Sequence, residues 1–363
     1  MAIKNISISC FRCFSNLDLE FSDLNNFFYG PNGSGKTSVL EALYFCSTGR
    51  SFKSSNKNLC IQNKQNSFQL KLKTSNRNSI KILKTVNKSI YCEIDGQKAS
   101  SVDLFRTLPS TLLDSKTFSM FIDTPQYRRK VLDRCLMAAD KNYTKDFFSF
   151  HKALKQRNAA LKQNSKYGLD MWSEIFASSG SHLSKKREEF FHRTKKVFFN
   201  FSRYFSDKRV IDIINSLNII FYKGWQEEFS LSKALHKSLE SDSKRQLTGA
   251  GPHKADIKFL SNNEDIKYIL SRGEQKFLSI LWCLSMHKTL SNFYNSYPFL
   301  IIDDIHSELD NKFYSELVNF LPKTSNQLFF SDINNPFGSK IDYQYTELKK
   351  FHVEQFNNAK KTK

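Results

Sequence analysis

A phosphate-binding loop is encoded near the start of the chain, at Gly30-Pro31-Asn32-Gly33-Ser34-Gly35-Lys36-Thr37. These residues follow the pattern G-x-x-x-x-G-K-[ST] of P-loop nucleoside triphosphatases. Glycines let successive backbone N–H groups turn inward and hold the β- and γ-phosphates, and Lys36 places a positive charge beside them. The Thr37 hydroxyl is a suitable oxygen ligand for Mg²⁺. The loop therefore predicts a nucleoside triphosphate site with Mg²⁺, and the alternative is a glycine-rich turn between a strand and a helix.

A pair of acidic residues far along the chain can complete such a site. The apolar run Phe299-Leu300-Ile301-Ile302 predicts a buried strand that ends in Asp303 and Asp304. An acid at the end of such a strand can hold the Mg²⁺ of a P-loop nucleotide, and we expect Asp303 to do so with Thr37. Asp304 is placed to orient or deprotonate the attacking water. The candidate catalytic residues are therefore Lys36, Asp303 and Asp304.

Two shorter motifs flank the acidic strand. Leu270-Ser271-Arg272-Gly273-Glu274-Gln275 resembles the signature motif L-S-x-G-x-Q of ABC-type ATPases, and Ser307-Glu308-Leu309-Asp310 resembles their D-loop. Ser271 and the N–H groups around Gly273 lie at a predicted helix N-terminus, which favours a γ-phosphate. The candidate ATP contacts therefore include Ser271, Gly273 and Gln275. Taken separately, each motif could be only a helix cap or a turn.

The elements that must position these residues follow from hydrophobic periodicity. The phosphate loop lies between a short buried strand over 24–29 and a helix over 38–45. Alternating apolar residues predict two strands before residue 22 and an antiparallel meander over 68–94. Beyond the middle of the chain we expect a hairpin from 257 to 270, a helix over 274–292, and strands over 298–304 and 327–333. The predicted order of strands and helices therefore indicates an α/β fold around the phosphate loop.

The balance of charge indicates a polyanionic partner. The chain has 363 residues and a formal net charge of +20, with 55 Lys and Arg against 35 Asp and Glu. A predicted helical segment over 127–209, with a turn at Tyr167-Gly168, holds 20 basic and 8 acidic side chains. We expect this segment to bind DNA, and the candidate contacts are Arg128, Arg129, Lys130, Lys155 and Arg157. The alternative is a solvated helical face over an aromatic core.

Together, these motifs resemble the RecF family of recombination mediators, which is related to SMC-type chromosome proteins. The stretches that carry the resemblance span nearly the whole chain: Phe11-Arg12, Leu40-Glu41-Ala42-Leu43, Tyr127-Arg128-Arg129-Lys130-Val131-Leu132-Asp133, Ala153-Leu154-Lys155-Gln156-Arg157-Asn158, Gly251-Pro252-His253-Lys254-Ala255-Asp256 and Asp303-Asp304-Ile305-His306-Ser307-Glu308-Leu309-Asp310. The resemblance implies an ABC-type P-loop ATPase head, with a mixed sheet flanked by helices, an antiparallel meander and an inserted, mainly helical domain. It also implies Arg12 as a further ATP contact.

The same resemblance implies a function and partners. It implies an ATP-dependent homodimer that holds two ATP molecules between its heads and binds double- and single-stranded DNA, including gap edges. RecR, RecO and the RecA recombinase are the implied partners, in gap repair and the SOS response. The expected domains are an ATPase lobe over 1–125, a basic helical insertion over 126–245, and the remainder of the ATPase, with the signature motif, over 246–363.

One strand departs from the ABC pattern. The predicted strand Leu328-Phe329-Phe330-Ser331-Asp332 lacks the switch histidine that ABC ATPases usually carry after the acidic strand, so we expect weak, slow hydrolysis. The main alternative is the ATP-hydrolysing subunit of an ABC-type transporter, and DNA binding that depends on ATP discriminates between the two. A P-loop nuclease of the overcoming-lysogenisation type would need a further acidic domain. A small-molecule kinase would leave the signature and D-loop motifs without a role.

Cysteine usage and hydropathy bear on the compartment. Seven scattered cysteines indicate reduced thiols, and Cys10 and Cys13 are expected to be packing residues because no second Cys/His pair completes a zinc site. No signal-like segment or run long enough to span a bilayer is visible. We therefore expect a cytoplasmic protein without membrane contact.

Overall fold

The computed structural model describes residues 2–117, 120–121, 124–163, 165–323, 326–332 and 347–353. Its strands are β1 (Ile3–Phe11), β2 (Phe14–Glu20), β3 (Asn25–Tyr29), β4 (Ser67–Thr74), β5 (Ser79–Thr85), β6 (Tyr91–Ile94), β7 (Gln97–Lys98), β8 (Ser110–Leu113), β9 (Leu217–Tyr222), β10 (Asp256–Ser261), β11 (Glu264–Asp265), β12 (Phe299–Asp303), β13 (Leu328–Asp332) and β14 (Leu348–His352). Its α-helices are α1 (Lys36–Thr48), α2 (Ser101–Thr107), α3 (Pro125–Ala139), α4 (Lys141–Gln163), α5 (Lys166–Asn200), α6 (Lys208–Ser216), α7 (Leu231–Arg245), α8 (Ile266–Ile269), α9 (Arg272–Tyr294) and α10 (Asn311–Phe320).

The chain forms two compact units. The first comprises Met1–Phe118 and Leu290–Lys363, and the second is Ser119–Thr289. This division differs from the expected domains, because residues 246–289 belong with the helical part and not with the rest of the ATPase. The physical reason is strand pairing: β10 is hydrogen-bonded to β9 in antiparallel register, with Asp256 opposite Tyr222. The signature motif therefore folds as part of the second unit.

The first unit contains two sheets around the phosphate-loop helix. One sheet is parallel, in the order β14-β3-β13-β12-β8, and the other is antiparallel, in the order β2-β1-β4-β5-β6-β7. The predicted early strands and the meander are confirmed by the second sheet. The α1 helix is buried along most of its length, and its Phe45 shares a core with phenylalanines from both sheets, namely Phe11, Phe28, Phe68, Phe299 and Phe329.

Parallel pairing decides where the chemistry lies. Strand β13 pairs on one side with β3 and on the other with β12. The carboxyl ends of these three strands therefore meet at one edge of the sheet, which is where open α/β sheets bind ligands. The phosphate loop leaves β3 at this edge, and the acidic pair lies at the end of β12.

The second unit combines helices with a small antiparallel sheet. Helices α4 and α5 pack closely against each other, and α5 begins at Lys166, so the predicted turn residues Tyr167 and Gly168 instead lie in its first turn. Four phenylalanines of α5 and the 3₁₀ turn after it are buried in the core, namely Phe190, Phe191, Phe198 and Phe201, whereas Phe199 is half-buried. None of the described helices is both long and apolar enough to cross a bilayer.

The prediction of a hairpin from 257 to 270 is wrong for its second strand. Residues 266–269 form the short helix α8, and β10 pairs instead with β9 and with the two-residue strand β11. The Asp265 side chain accepts a hydrogen bond from the Lys267 backbone N–H, at 3.0 Å, and so caps the helix. Alternating Ile266, Tyr268 and Leu270 resemble a strand, but Tyr268 is 78% exposed.

Candidate functional site

The phosphate loop has the backbone that its sequence predicts. It leaves β3 at Tyr29 and enters α1 at Lys36, and φ is +79° at Gly33 and +113° at Gly35, values that favour glycine. Gly35 is also sterically required, because a Cβ there would lie 2.6 Å from the Phe14 ring. The Lys36 ammonium donates to the carbonyls of Gly30 and Pro31, at 2.6 and 3.0 Å. Burial lowers the pKa of Lys36, and the carboxylates of Asp304, Asp303 and Asp332 oppose that change.

Asp303 meets the phosphate loop directly. Its Oδ1 accepts hydrogen bonds from Thr37 Oγ1 and from Ser331 Oγ, each at 2.9 Å. Burial raises the pKa of Asp303, and these two hydrogen bonds oppose the rise. The structure thus places the hydroxyl and carboxylate that the sequence assigned to the metal side by side, although 266 positions separate them in the chain.

Asp304 lies one residue further on but in a different environment. It is exposed, and its φ of +54° is in the left-handed region that Asp tolerates better than most residues. This turn ends the strand and directs the chain away from Asp303. Ser307, at the start of the D-loop motif, donates to the Asp304 carbonyl at 3.1 Å, and Asp310 caps α10 by accepting from the Phe313 N–H at 2.9 Å.

A cavity of about 430 Å³ joins these residues, a volume typical of small-molecule sites. Its lining residues are Arg12, Cys13, Asn32, Gly33, Gly35, Lys36, Thr37, Ser38, Lys53, Leu59, Ile61, Asp303, Asp304, Ser331 and Asp332. Sequence reasoning did not single out Lys53, Leu59 or Ile61 for the site. Gly49, which ends α1 with a φ of +63°, was the available indication that the following segment turns back.

Arg12 lies at the cavity, as the resemblance implied, but its guanidinium already has protein partners. Nε and Nη2 donate to the two carboxylate oxygens of Glu41, at 2.8 and 2.7 Å, and Nη1 donates to the Leu59 carbonyl at 2.8 Å. Glu41 is buried in α1 and also accepts from Ser51 Oγ. Glu41 therefore ties the β1–β2 turn and the segment after α1 to the phosphate-loop helix.

The signature motif forms the N-terminus of α9, in the second unit. Ser271 N–H donates to Glu274 Oε2 at 2.8 Å, and Glu274 N–H donates to Ser271 Oγ at 3.3 Å, which is a reciprocal cap. Arg209 donates twice to Glu274 Oε1, at 2.9 and 2.6 Å. Burial opposes ionisation of Glu274, but the hydrogen bonds from Ser271 and Arg209 outweigh it and hold its pKa below the ordinary value.

The exposed and buried residues of the motif have different roles. Ser271 is exposed and Gly273 is half-buried, so both remain candidates for a phosphate contact. Gln275 is buried, and its Nε2 donates to the carbonyls of Leu270 and Lys267, at 2.7 and 3.2 Å. Through these hydrogen bonds the Gln275 amide holds the loop before α9, and Gln275 as an ATP contact stays a prediction.

Arg157 is not available to DNA in this structure, which corrects its assignment. It is 1% exposed, and its Nη1 donates to Asp242 at 3.0 Å and to Thr248 at 2.7 Å. Its Nε donates to Ser173 at 3.0 Å. This basic side chain of the helical segment joins helices, and it is not part of the solvated face that the alternative predicted.

The other four DNA candidates fall into two groups. Arg128 forms a bidentate ion pair with Asp256, in which Nε and Nη2 donate to the two carboxylate oxygens at 2.7 and 3.0 Å. Arg129 donates to the Ala255 carbonyl at 2.6 Å. These contacts link the two family motifs over 127–133 and 251–256. Lys130 and Lys155 are exposed and stay predicted DNA contacts.

Comparisons with known proteins agree with the motifs. A family model described as the RecF/RecN/SMC N terminal domain matches residues 2–350. A DNA replication and repair protein RecF from Pseudoalteromonas translucida (strain TAC 125) is 32% identical over 367 residues, covering 98% of this chain and 99% of that protein. A protein of the same name from Francisella tularensis subsp. tularensis (strain WY96-3418) is 32% identical over 336 residues, covering 91% of this chain and 94% of that protein.

Solved structures support the same fold. The recombination mediator protein RecF with ATP, from the RecFOR pathway, has a TM-score of 0.80 at 25% identity and covers 97% of this chain and 96% of its own. An Smc head bound to the C-winged helix domain of ScpA has a TM-score of 0.53 at 14% identity, and the match covers 92% of this chain and 90% of that one. The second likeness concerns the fold alone. The expected fold class, an ABC-type ATPase head with a helical insertion, is confirmed.

Proposed function

This chain belongs to the RecF branch of the RecF/RecN/SMC family, and on that premise we propose that it is an ATP-dependent DNA-binding protein of DNA repair, recombination and replication. One observation carries the nucleotide part of the proposal. The 2.9 Å hydrogen bond between Thr37 and Asp303 brings the phosphate loop and the acidic strand together at the carboxyl edge of the parallel sheet. Such a pairing is the one that a P-loop nucleotide site requires.

The residues at this edge fit Mg²⁺ as well as ATP. Thr37 offers a hydroxyl oxygen and Asp303 a carboxylate oxygen, which are the hard ligands that Mg²⁺ prefers. Burial of Asp303 disfavours its charged form, and a cation beside it would offset that cost. When bound, the metal would neutralise charge on the β- and γ-phosphates.

ATP is proposed to act by joining two copies of the chain. In the ABC arrangement, the γ-phosphate held by Lys36 of one copy contacts the signature motif of the other, and the exposed Ser271 at a helix N-terminus suits that contact. Lys36, Asp303 and Asp304 would support hydrolysis. We expect it to be weak, since β13 ends in Ser331 and Asp332 and offers no switch histidine.

DNA is the proposed polyanionic partner of the dimer. The net charge of +20 and the exposed Lys130 and Lys155 support this, with duplex DNA, single strands and gap edges as substrates. RecR, RecO and the RecA recombinase are the proposed protein partners in gap repair and the SOS response, which agrees with the RecFOR pathway of the solved relative. No observation favours the transporter-subunit alternative.

The decisive experiment measures DNA binding with and without ATP in the parent protein and in Lys36→Met. We expect ATP to strengthen binding to gapped duplex DNA in the parent and to have no such effect in Lys36→Met. The substitution removes the phosphate-loop charge while it keeps most of the side-chain volume. Fluorescence anisotropy of labelled DNA and of a fluorescent ATP analogue gives both affinities.

The matched control is Lys71→Met, because Lys71 is exposed on β4 and does not line the cavity. It should behave as the parent. Equal ATP affinity in folded Lys36→Met and parent proteins would disprove the nucleotide site. Normal ATP binding with no ATP effect on DNA affinity would disprove the proposed function and leave the site intact.

A further inference from the structure

The two ends of the ATP cavity differ in chemistry. Thr37, Asp303 and Ser331 form a polar end through their shared hydrogen bonds. Leu59 and Ile61 contribute the large apolar side chains of the lining. We propose, on the basis of the ATP site above, that Leu59 and Ile61 hold the nucleobase by apolar contact and discriminate only weakly between adenine and guanine.

Contacts between the segments that line the cavity indicate the direction in which a bound nucleotide would extend. The phosphate loop touches the β1–β2 turn at Gly35, where a Cβ would lie 2.9 Å from Cys13 Sγ. Arg12 of the same turn donates to the Leu59 carbonyl at 2.8 Å. Leu59 and Ile61 thus follow the phosphate loop on the side of the β1–β2 turn. Because the terminal phosphates belong near Asp303, the nucleoside extends toward Leu59.

Hydrogen bonds hold the short turn that carries Leu59 at the apolar end of the cavity. Leu59 is 59% exposed, although it is a large apolar residue on a short 3₁₀ turn, Lys57–Cys60. The Asn56 side chain caps this turn by accepting from the Asn58 N–H at 3.0 Å. Arg12 holds it from the other side, through the Leu59 carbonyl and through its own N–H, which donates to Cys60 O at 2.8 Å. A base stacked on Leu59 would cover apolar surface that otherwise meets water.

The backbone of this end has its donors already engaged. The N–H groups of Leu59, Ile61 and Gln62 donate to Asn56 O, Asn58 O and Cys10 O, at 3.2, 3.0 and 2.8 Å. The carbonyls of Leu59 and Cys60 accept from Arg12. Strong discrimination between bases needs free donors or acceptors at the base edge, and apolar contact alone cannot supply it. The amino and keto groups that distinguish adenine from guanine therefore have few partners here.

The test compares ATP, GTP and inorganic tripolyphosphate, each with Mg²⁺, by calorimetry on the full chain. We expect ATP and GTP to bind the parent within about tenfold of each other. Leu59→Ala should weaken both by about three- to tenfold, because part of the apolar contact is lost. Tripolyphosphate affinity should not change, since it reaches only the polar end, and the Arg12 contact to the Leu59 backbone survives the substitution.

Leu24→Ala is the matched control, because Leu24 is also an exposed leucine of the first unit and does not line the cavity. A preference for ATP over GTP above about tenfold overturns the proposal. So does an unchanged ATP affinity in Leu59→Ala. A wrong assignment of the ATP site would give a different result. In that case Lys36→Met would bind tripolyphosphate and nucleotides as tightly as the parent does.

Discussion

Asp303 and Asp304 are neighbours in the chain with separate chemical environments. Asp303 is half-buried between the hydroxyls of Thr37 and Ser331. Asp304 is exposed at the cavity wall, beyond the point where the backbone turns into the left-handed region. The first carboxylate is therefore fixed in place and suits a metal ion. The Asp304 carboxylate is not held by the hydroxyls of Thr37 and Ser331, and it suits contact with a water molecule.

Asp304→Asn should slow ATP hydrolysis by roughly a hundredfold or more while ATP binding is retained. The amide keeps the size of the side chain but cannot accept a proton from the attacking water. Single-turnover hydrolysis measures the rate, and equilibrium titration of ATP measures the affinity. A long-lived ATP-bound state is the expected consequence.

Asp18→Asn serves as the control, because Asp18 is exposed on β2 and lies outside the cavity lining. It should hydrolyse ATP at the parent rate. If Asp304→Asn does so too, the water-positioning role belongs to another residue.

At the level of elements, Arg157 joins three helical parts of the second unit. Its guanidinium, on α4, contacts Ser173 on α5, Asp242 on α7 and Thr248 beyond α7. Asp242 is also fully buried and accepts from the Gly249 N–H at 2.9 Å. Removal of one partner from a buried ion pair costs more than the pair itself contributes, and among the described residues only the exposed Arg245, 3.6 Å from Asp242, would remain as a cation beside it.

Arg157→Ala should lower the free energy of unfolding by about 3–5 kcal/mol, through the loss of this pairing for Asp242. Chemical denaturation followed by circular dichroism measures the change. Lys155, two residues away on α4 and exposed, provides the matched control. Lys155→Glu should change stability by about 0.5 kcal/mol or less, and it should reduce the slope of log affinity for duplex DNA against log salt by roughly 0.9.

The opposite pattern would revise both assignments. A stable Arg157→Ala protein with weakened DNA binding would return Arg157 to the DNA surface. An unchanged salt slope in Lys155→Glu would place the DNA contact elsewhere.

The sequence predicted the site better than the second unit, for a physical reason. The phosphate loop and the acidic strand are local patterns, so a shared metal site for Thr37 and Asp303 could be predicted from their motifs. The burial of Arg157 depends on Asp242, 85 residues later, and no local pattern indicates that partner. Leu59 was missed in the same way, because its position at the cavity depends on a hydrogen bond from Arg12 to its backbone.

For the molecule as a whole, the two compact units carry different parts of the proposed ATP site. Lys36 and Asp303 belong to the first unit, and the signature residues Ser271 and Gly273 belong to the second. In the proposed dimer, each ATP is held by the first unit of one chain and contacted by the second unit of the other. ATP can then favour the dimer only through contacts that exist in the dimer and not in the monomer.

The dimer can be tested by the substitution Ser271→Arg in the signature motif. Its matched control is Ser181→Arg, since Ser181 is also an exposed serine of the second unit, on α5. It should dimerise with ATP as the parent does. Mixtures of Ser271→Arg and Lys36→Met chains provide a second comparison. Each defect affects a different half of a site, so a mixed dimer should restore at most one composite site.

Ser271→Arg should leave each chain folded and able to bind ATP, but it should abolish ATP-driven dimerisation. Ser271 is exposed at the N-terminus of α9, so a larger side chain can be accommodated in the monomer. In the dimer, the added bulk would stand where two surfaces must close on one γ-phosphate. Light scattering after size-exclusion chromatography, with and without ATP, measures the association, and ATP titration confirms that the monomer still binds. Dimerisation of Ser271→Arg to the parent level would show that the signature motif does not meet the partner's ATP, and the two chains would then associate through another surface.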